Sequence, residues 1–199
     1  DSAVVITLAS PLSGTYQSAC LAAEDYDNIY VVDGMTVAVG TGVLAEFAAN
    51  LAEQGMEAEK IAEMVTLKRE DVRVIALLDT LEYLKKGGRI SKTVAFAGGV
   101  LNIKPVVTFQ DGQVQLIGKA RGSRNGNNLL VEKINESGGV DFSKPVLLGY
   151  TGLSSALLDK YEADSSSLWQ GHTEKLERCL MCSVIGTHAG PGAVAVAFF

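Results

Sequence analysis

The sequence predicts an α/β protein in two parts. These are a parallel, Rossmann-like α/β sheet domain over residues 1–79, then an α+β domain with a mixed or antiparallel sheet over residues 80–199. Three observations predict it. Short β-branched runs alternate with Ala/Leu/Glu-rich segments in the first part, as in strand–helix–strand units. Asp111-Gly112 between two apolar runs signals a hairpin in the second. A hydrophobic share of 47% in 199 residues supplies enough apolar material for a packed core.

Ala3 to Ala9 is a continuous apolar run closed by Ser10-Pro11, as expected of a strand buried on both faces. Thr15 to Asp25 is rich in good helix formers. Ile29 to Val32 reads as a strand ended by Asp33-Gly34. Val37 to Glu53 is a long helix capped by Gly55, and Ala58 to Arg69 is another. Val72 to Leu78 is the expected third strand of the parallel sheet. Lys104 to Phe109 and Gln113 to Ile117 are the hairpin arms. Pro105 has no N–H to give, so the first arm is expected to have a free edge or to begin late. A helix over Asn127 to Ile134, a strand over Val146 to Tyr150, a helix over Ser154 to Tyr161 and an apolar run over Ala193 to Phe199 complete the pattern.

Seventeen Lys plus Arg against twenty-three Asp plus Glu give a net charge of −6. That balance argues against a nucleic-acid partner, which needs clustered cation. No apolar stretch reaches the roughly 20 residues that span a bilayer, so stable membrane insertion is not expected. No signal-peptide pattern opens the chain. The first residue is Asp1 and the first segment already reads as a strand, so the numbering is expected to start inside a longer protein. Three cysteines are too few for a disulfide framework, and a reducing cytoplasm is the expected home.

Ser13-Gly14-Thr15 lies between a strand and a helix. Free N–H groups, a positive dipole end and two hydroxyls make it either an anion site or an ordinary N-cap. Lys85-Lys86-Gly87-Gly88-Arg89-Ile90 is a cationic turn that is either solvated or turns the Arg89 fork inward to a carboxylate. His188 sits among Gly186, Gly190, Pro191 and Gly192, where it is either structural or a donor to an anion. His172, in a polar stretch, reads as exposed. Cys179-Leu180-Met181-Cys182 has no second ligand pair for zinc and reads as two thiols in or near a strand. Arg121 and Arg124 are either a docking patch or a solvated turn. No phosphate-binding glycine motif and no metal motif occurs.

Four segments together resemble the DegV family of bacterial fatty-acid-binding proteins. They are Leu12-Ser13-Gly14-Thr15-Tyr16-Gln17-Ser18-Ala19, Leu81 to Ile90, Leu101-Asn102-Ile103-Lys104-Pro105, and Ile185-Gly186-Thr187-His188-Ala189-Gly190-Pro191-Gly192-Ala193. The resemblance runs through nearly the whole chain. It implies the two-domain DegV-like (EDD) fold, with one long-chain fatty acid held at the domain junction and its acyl chain in an apolar tunnel. It further implies Ser13, with Gly14 and Thr15, as the carboxylate site, and Arg89 and His188 as its cationic and imidazole neighbours. Such proteins present the acid to a separate fatty-acid kinase related to dihydroxyacetone kinases, which makes the acyl phosphate. The chain is then a carrier and not an enzyme, with no cofactor and no metal, and Arg121 and Arg124 are the expected docking residues. Family members carry a further segment ahead of Ser-Gly-Thr, with two more loops near the carboxylate, so the resemblance implies that part of the site lies outside this numbering. The competing reading is a hydrolase or kinase-like enzyme using Ser13 and His188, with Asp33 or Asp79 as orienter.

Overall fold

The computed structural model describes residues 1–90, 102–173 and 176–199. Strands β1 (Ala3–Thr7) and β2 (Ile29–Asp33) pair in parallel across helix α1 (Thr15–Ala23). Helices α2 (Val39–Glu53) and α3 (Ala58–Lys68) follow, then β3 (Arg73–Leu77), helix α4 (Glu82–Lys86) and the hairpin β4 (Ile103–Gln110) and β5 (Gln113–Arg121). The remainder runs α5 (Ser123–Glu136), β6 (Leu147–Tyr150), α6 (Ala156–Asp164), α7 (Ser166–Trp169), β7 (Glu177–Leu180), α8 (Ser183–Ala189) and β8 (Val194–Phe198).

The third strand forms where expected but joins the other sheet. It lies antiparallel between β4 and β8 in a six-stranded sheet of order β5-β4-β3-β8-β6-β7. The chain thus changes sheet between α3 and β3, ahead of the composition change near Asp79. Val74, Ile75, Ala76 and Leu77 are all buried, and an unbroken apolar run states burial on both faces without stating direction or partner.

Pro105 meets half of its expectation: β4 is flanked by β5 and β3 and is no edge strand, but its pairing with β3 begins only after the proline. The β3 ladder on β4 covers only Val106 to Thr108. Beyond it Pro105 accepts a hydrogen bond from Leu78 N at 2.9 Å and needs to donate nothing in return. At the other end of the hairpin, Asp111 and Gly112 have φ of 51° and 68°. Positive φ at both central residues matches the right-handed twist of the arms.

Two short helices that the sequence did not signal, α4 and α8, precede the glycine turns at Gly87 and Gly190; Cys179 lies in β7, and Cys182 lies just past that strand as the N-cap of α8. With five and seven residues the two helices are too short to show a helical period.

Helices α5, α6 and α7 cover one face of the large sheet, burying Leu130, Ile134, Leu158 and Trp169 against Leu148 and Phe198. On the other face α2 is wedged between the sheets. Its Val39, Val43 and Leu44 share one core with Val32 of the small sheet and Val74 and Ala195 of the large one. Gly40 and Gly42 permit this approach. A Cβ on Gly40 would lie 2.5 Å from Val74 Cγ2, and one on Gly42 2.7 Å from Leu147 Cδ2. Among the described residues no helix is long and apolar enough to cross a membrane.

Gly40→Ala should therefore destabilise the protein by about 1–3 kcal/mol through overpacking, although alanine is the better helix former by about 1 kcal/mol. Urea unfolding of the two proteins measures the difference.

Candidate functional site

The loop that follows β1 carries Ser13, at the carboxyl end of a parallel strand where open α/β sheets bind ligands. Its base is fixed by Asp33, the last residue of β2. The Asp33 carboxylate accepts Ser10 N at 3.2 and 3.3 Å and Met35 N at 3.1 Å. Arg69 at the end of α3 donates Nη1 to the Asp33 carbonyl at 2.7 Å. Pro11 rests on the hairpin tip, where a Cβ on Gly112 would lie 3.0 Å from Pro11 Cγ.

Within the loop, Ser13 Oγ and Thr15 Oγ1 are 2.8 Å apart, and Thr15 N donates to Ser13 Oγ at 3.3 Å. Gly14 has φ of −71°, a conformation open to any residue. Its value lies in space, since no atom lies within 4 Å of where its Cβ would be. Two hydroxyls, the first amides of α1 and open room above the backbone form an exposed donor surface suited to an anion.

Arg89 reaches this loop. Its Nε donates to the Leu12 carbonyl at 3.3 Å and its Nη1 to the Gly87 carbonyl at 2.7 Å. His188, in the last turn of α8, lies against the same Gly87. Its Nδ1 is buried and has no hydrogen-bond partner among the described residues. The structure thus links the Ser13 loop, Arg89 and His188 in one line of contacts, with Gly87 as the shared point.

Arg121 and Arg124 stand apart. They are exposed at the end of β5 and the start of α5, whereas Pro11 packs on the opposite end of the hairpin. Eight residues of β4 at about 3.3 Å each put roughly 26 Å between those ends.

The geometry of the enzyme reading is not assembled. Ser13 bonds Thr15, Asp33 holds the backbone of its own loop, and Asp79 forms an ion pair with Lys104. A hydroxyl nucleophile needs an adjacent base with its own orienting partner, and His188 Nδ1 has none among the described residues. Cys179 is half-buried in β7, and burial pushes its thiol above the usual range. His172 is exposed, as expected, and stacks on Phe142 with centroids 4.4 Å apart. Among the described residues no three potential ligands cluster to hold a metal ion. Leu101 lies outside the described residues.

Sequence reasoning missed the loop-holding role of Asp33 and the meeting point at Gly87. The Asp33-Gly34 pair reads as a strand end, and Asp33 otherwise as an orienter in the enzyme reading, since nothing local tells which amides a carboxylate will face. Two cavities, about 800 Å³ by Met35 and Arg73 and about 640 Å³ by Val4 and Ala48, are lined by none of Ser13, Arg89 and His188.

The fold, with its parallel sheet and its larger mixed sheet, is shared with solved lipid-binding proteins over the residues that superpose. A Thermus thermophilus structure described as "Fatty Acid Binding of a DegV family Protein" superposes with a TM-score of 0.83 at 29% identity, covering 100% of this chain and 71% of that one. The chain belongs to the DegV family, whose profile, described as "Uncharacterised protein, DegV family", matches residues 1–199. A DegV domain-containing protein of Caldanaerobacter subterraneus is 35% identical over 201 residues, covering 100% of this chain and 70% of its own length. A Thermotoga maritima relative, 30% identical over 98% of this chain and 67% of its own, is named a fatty acid-binding protein. The Thermus and Thermotoga proteins are named for fatty-acid binding and not for catalysis.

Asp33→Ala leaves the Ser10 and Met35 amides without their acceptor. It should cost about 1–3 kcal/mol of stability in urea unfolding, and Asp33→Asn, which keeps one acceptor oxygen, should cost less.

Proposed function

We propose that this chain carries a long-chain fatty acid at the junction of its two sheets. The carboxylate sits at the start of α1 on Ser13, Gly14 and Thr15, with Arg89 and His188 completing its surroundings. The observation that carries this reading is the Arg89 bridge between the Leu12 and Gly87 carbonyls, which brings a guanidinium beside the open Ser13 loop. A carboxylate there meets hydroxyls, amides and a planar cation, so it needs little water. The acyl chain occupies an apolar tunnel, where each buried methylene contributes about 0.8 kcal/mol before ordering costs are subtracted.

The acid is presented in the cytoplasm to a separate fatty-acid kinase, related to dihydroxyacetone kinases, for acyl-phosphate formation. The chain requires no cofactor and no nucleic acid for this role. Arg121 and Arg124 dock the kinase. An ordinary interface buries about 800 Å² per partner, a patch roughly 30 Å across, which spans from these arginines to the Ser13 loop.

Native mass spectrometry of the purified chain should show a stoichiometric adduct with the mass of a long-chain fatty acid, and a longer chain that includes the preceding segment, still bare after incubation with fatty acid, would overturn the reading. Gly14→Ala should leave thermal stability unchanged yet lower the share of loaded protein, because its methyl group fills the space the carboxylate needs. Replacing Arg121 and Arg124 together by Ala should slow association with an acidic kinase surface and flatten its salt dependence, with fatty-acid retention unchanged.

A further inference from the structure

The two glycines of the Lys85 to Ile90 segment serve different ends. Gly88 has φ of +67° with nothing within 4 Å of its Cβ position, so it is there for backbone freedom. Gly87 caps α4 with φ of −73° and ψ of −8°, which any residue adopts. What excludes a side chain at Gly87 is His188. A Cβ built there would overlap imidazole Nδ1 and lie 2.7 Å from Cε1, inside the 3.0 Å limit of real Cβ contacts.

The neighbouring contact is its counterpart. Tyr83, whose carbonyl accepts Gly87 N at 2.8 Å, lays its ring over Gly190, where a Cβ would be 2.7 Å from Cε2. Helix α4 therefore grips the end of α8 twice, with a glycine under His188 and a ring over Gly190. Between these grips the imidazole has one seat.

The seat also selects a nitrogen. Nδ1 faces Gly87, is closed to solvent and has no acceptor among the described residues. A proton placed on Nδ1 would be an unsatisfied buried donor, which leaves Nε2 to carry the ring proton and Nδ1 as an unpaired acceptor. From this we infer that Gly87 is a positioning residue for His188. Its missing side chain holds the imidazole so that Nε2–H is the donor offered to the ligand carboxylate. The inference rests on the proposed role of His188 at the head group, and it deepens that role by fixing orientation and tautomer.

The test is Gly87→Ala in the 15N-labelled chain, read by the ring 15N signals of His188, with those of His172 as internal reference. His188 signals should move and lose their Nε2–H pattern while those of His172 stay. Retention of palmitate should fall about fivefold, the scale of one neutral hydrogen bond. In a His188→Ala background the overlap is gone, so adding Gly87→Ala should change neither melting temperature nor palmitate retention. Unmoved His188 signals, or an equal loss from Gly87→Ala with and without His188, would overturn the inference. Separately, a His188→Ala protein that retains palmitate fully would overturn the head-group role of His188, leaving the ring signals to report the seat on their own.

Discussion

Helix α2 must satisfy two sheets at once, and the rest of the fold depends on that contact. Its exposed stripe runs through Ala45, Glu46, Ala49, Asn50, Ala52 and Glu53, and its buried residues Val39, Val43, Leu44 and Ala48 pack into the core that the two sheets share. Gly40 and Gly42 set how closely Val74 and Leu147 approach. The entry to the helix shows the same demand. Ala38 is held at φ 55° and ψ −121°, a conformation that costs a non-glycine residue about 1–3 kcal/mol, and the packing beyond it holds the residue in place. A small sheet of two strands could not stand alone, and α2 gives it the core of the larger one.

The Ser13 loop inherits its position from that arrangement. β2 ends at Asp33 beside the small sheet's carboxyl edge, and its carboxylate fixes the loop base. From the large sheet, α4 and α8 deliver Arg89 and His188 to the same region. The candidate site is therefore a place where elements that follow the two sheets meet, with each set contributing donors. A change in how α2 sits would move the two sets of donors relative to one another before it altered either set.

Most elements were legible because each carries its own local pattern: β-branched runs for strands, Ala/Leu/Glu stretches for helices, Asp111-Gly112 for the hairpin. Sheet membership was not. The run over Val72 to Leu78 looks the same whether its neighbours are parallel or antiparallel, and its partners Val106 and Val194 lie far along the chain. The short helices α4 and α8 escaped because five and seven residues show no helical period, and the glycines that follow each read as turn signals. Ser13, Arg89 and His188 could be singled out by residue type and setting, but their connection through Gly87 depends on a side chain that is absent. Asp33 was weighed for the wrong task, since a carboxylate that bonds backbone amides looks in sequence like any other.

The strand numbered last is the one placed at the centre. β8 lies between β3 and β6, and every residue from Val194 to Phe198 is buried. Its register ties Arg73 to Phe198 and Leu77 to Val194. During synthesis from the amino end, the β3–β4–β5 piece must therefore emerge with a buried edge open, waiting for the final strand. Sheet closure, and with it the docking of α8, is a late event governed by long-range loop closure. Until then that edge is a surface on which nascent chains can pair with one another.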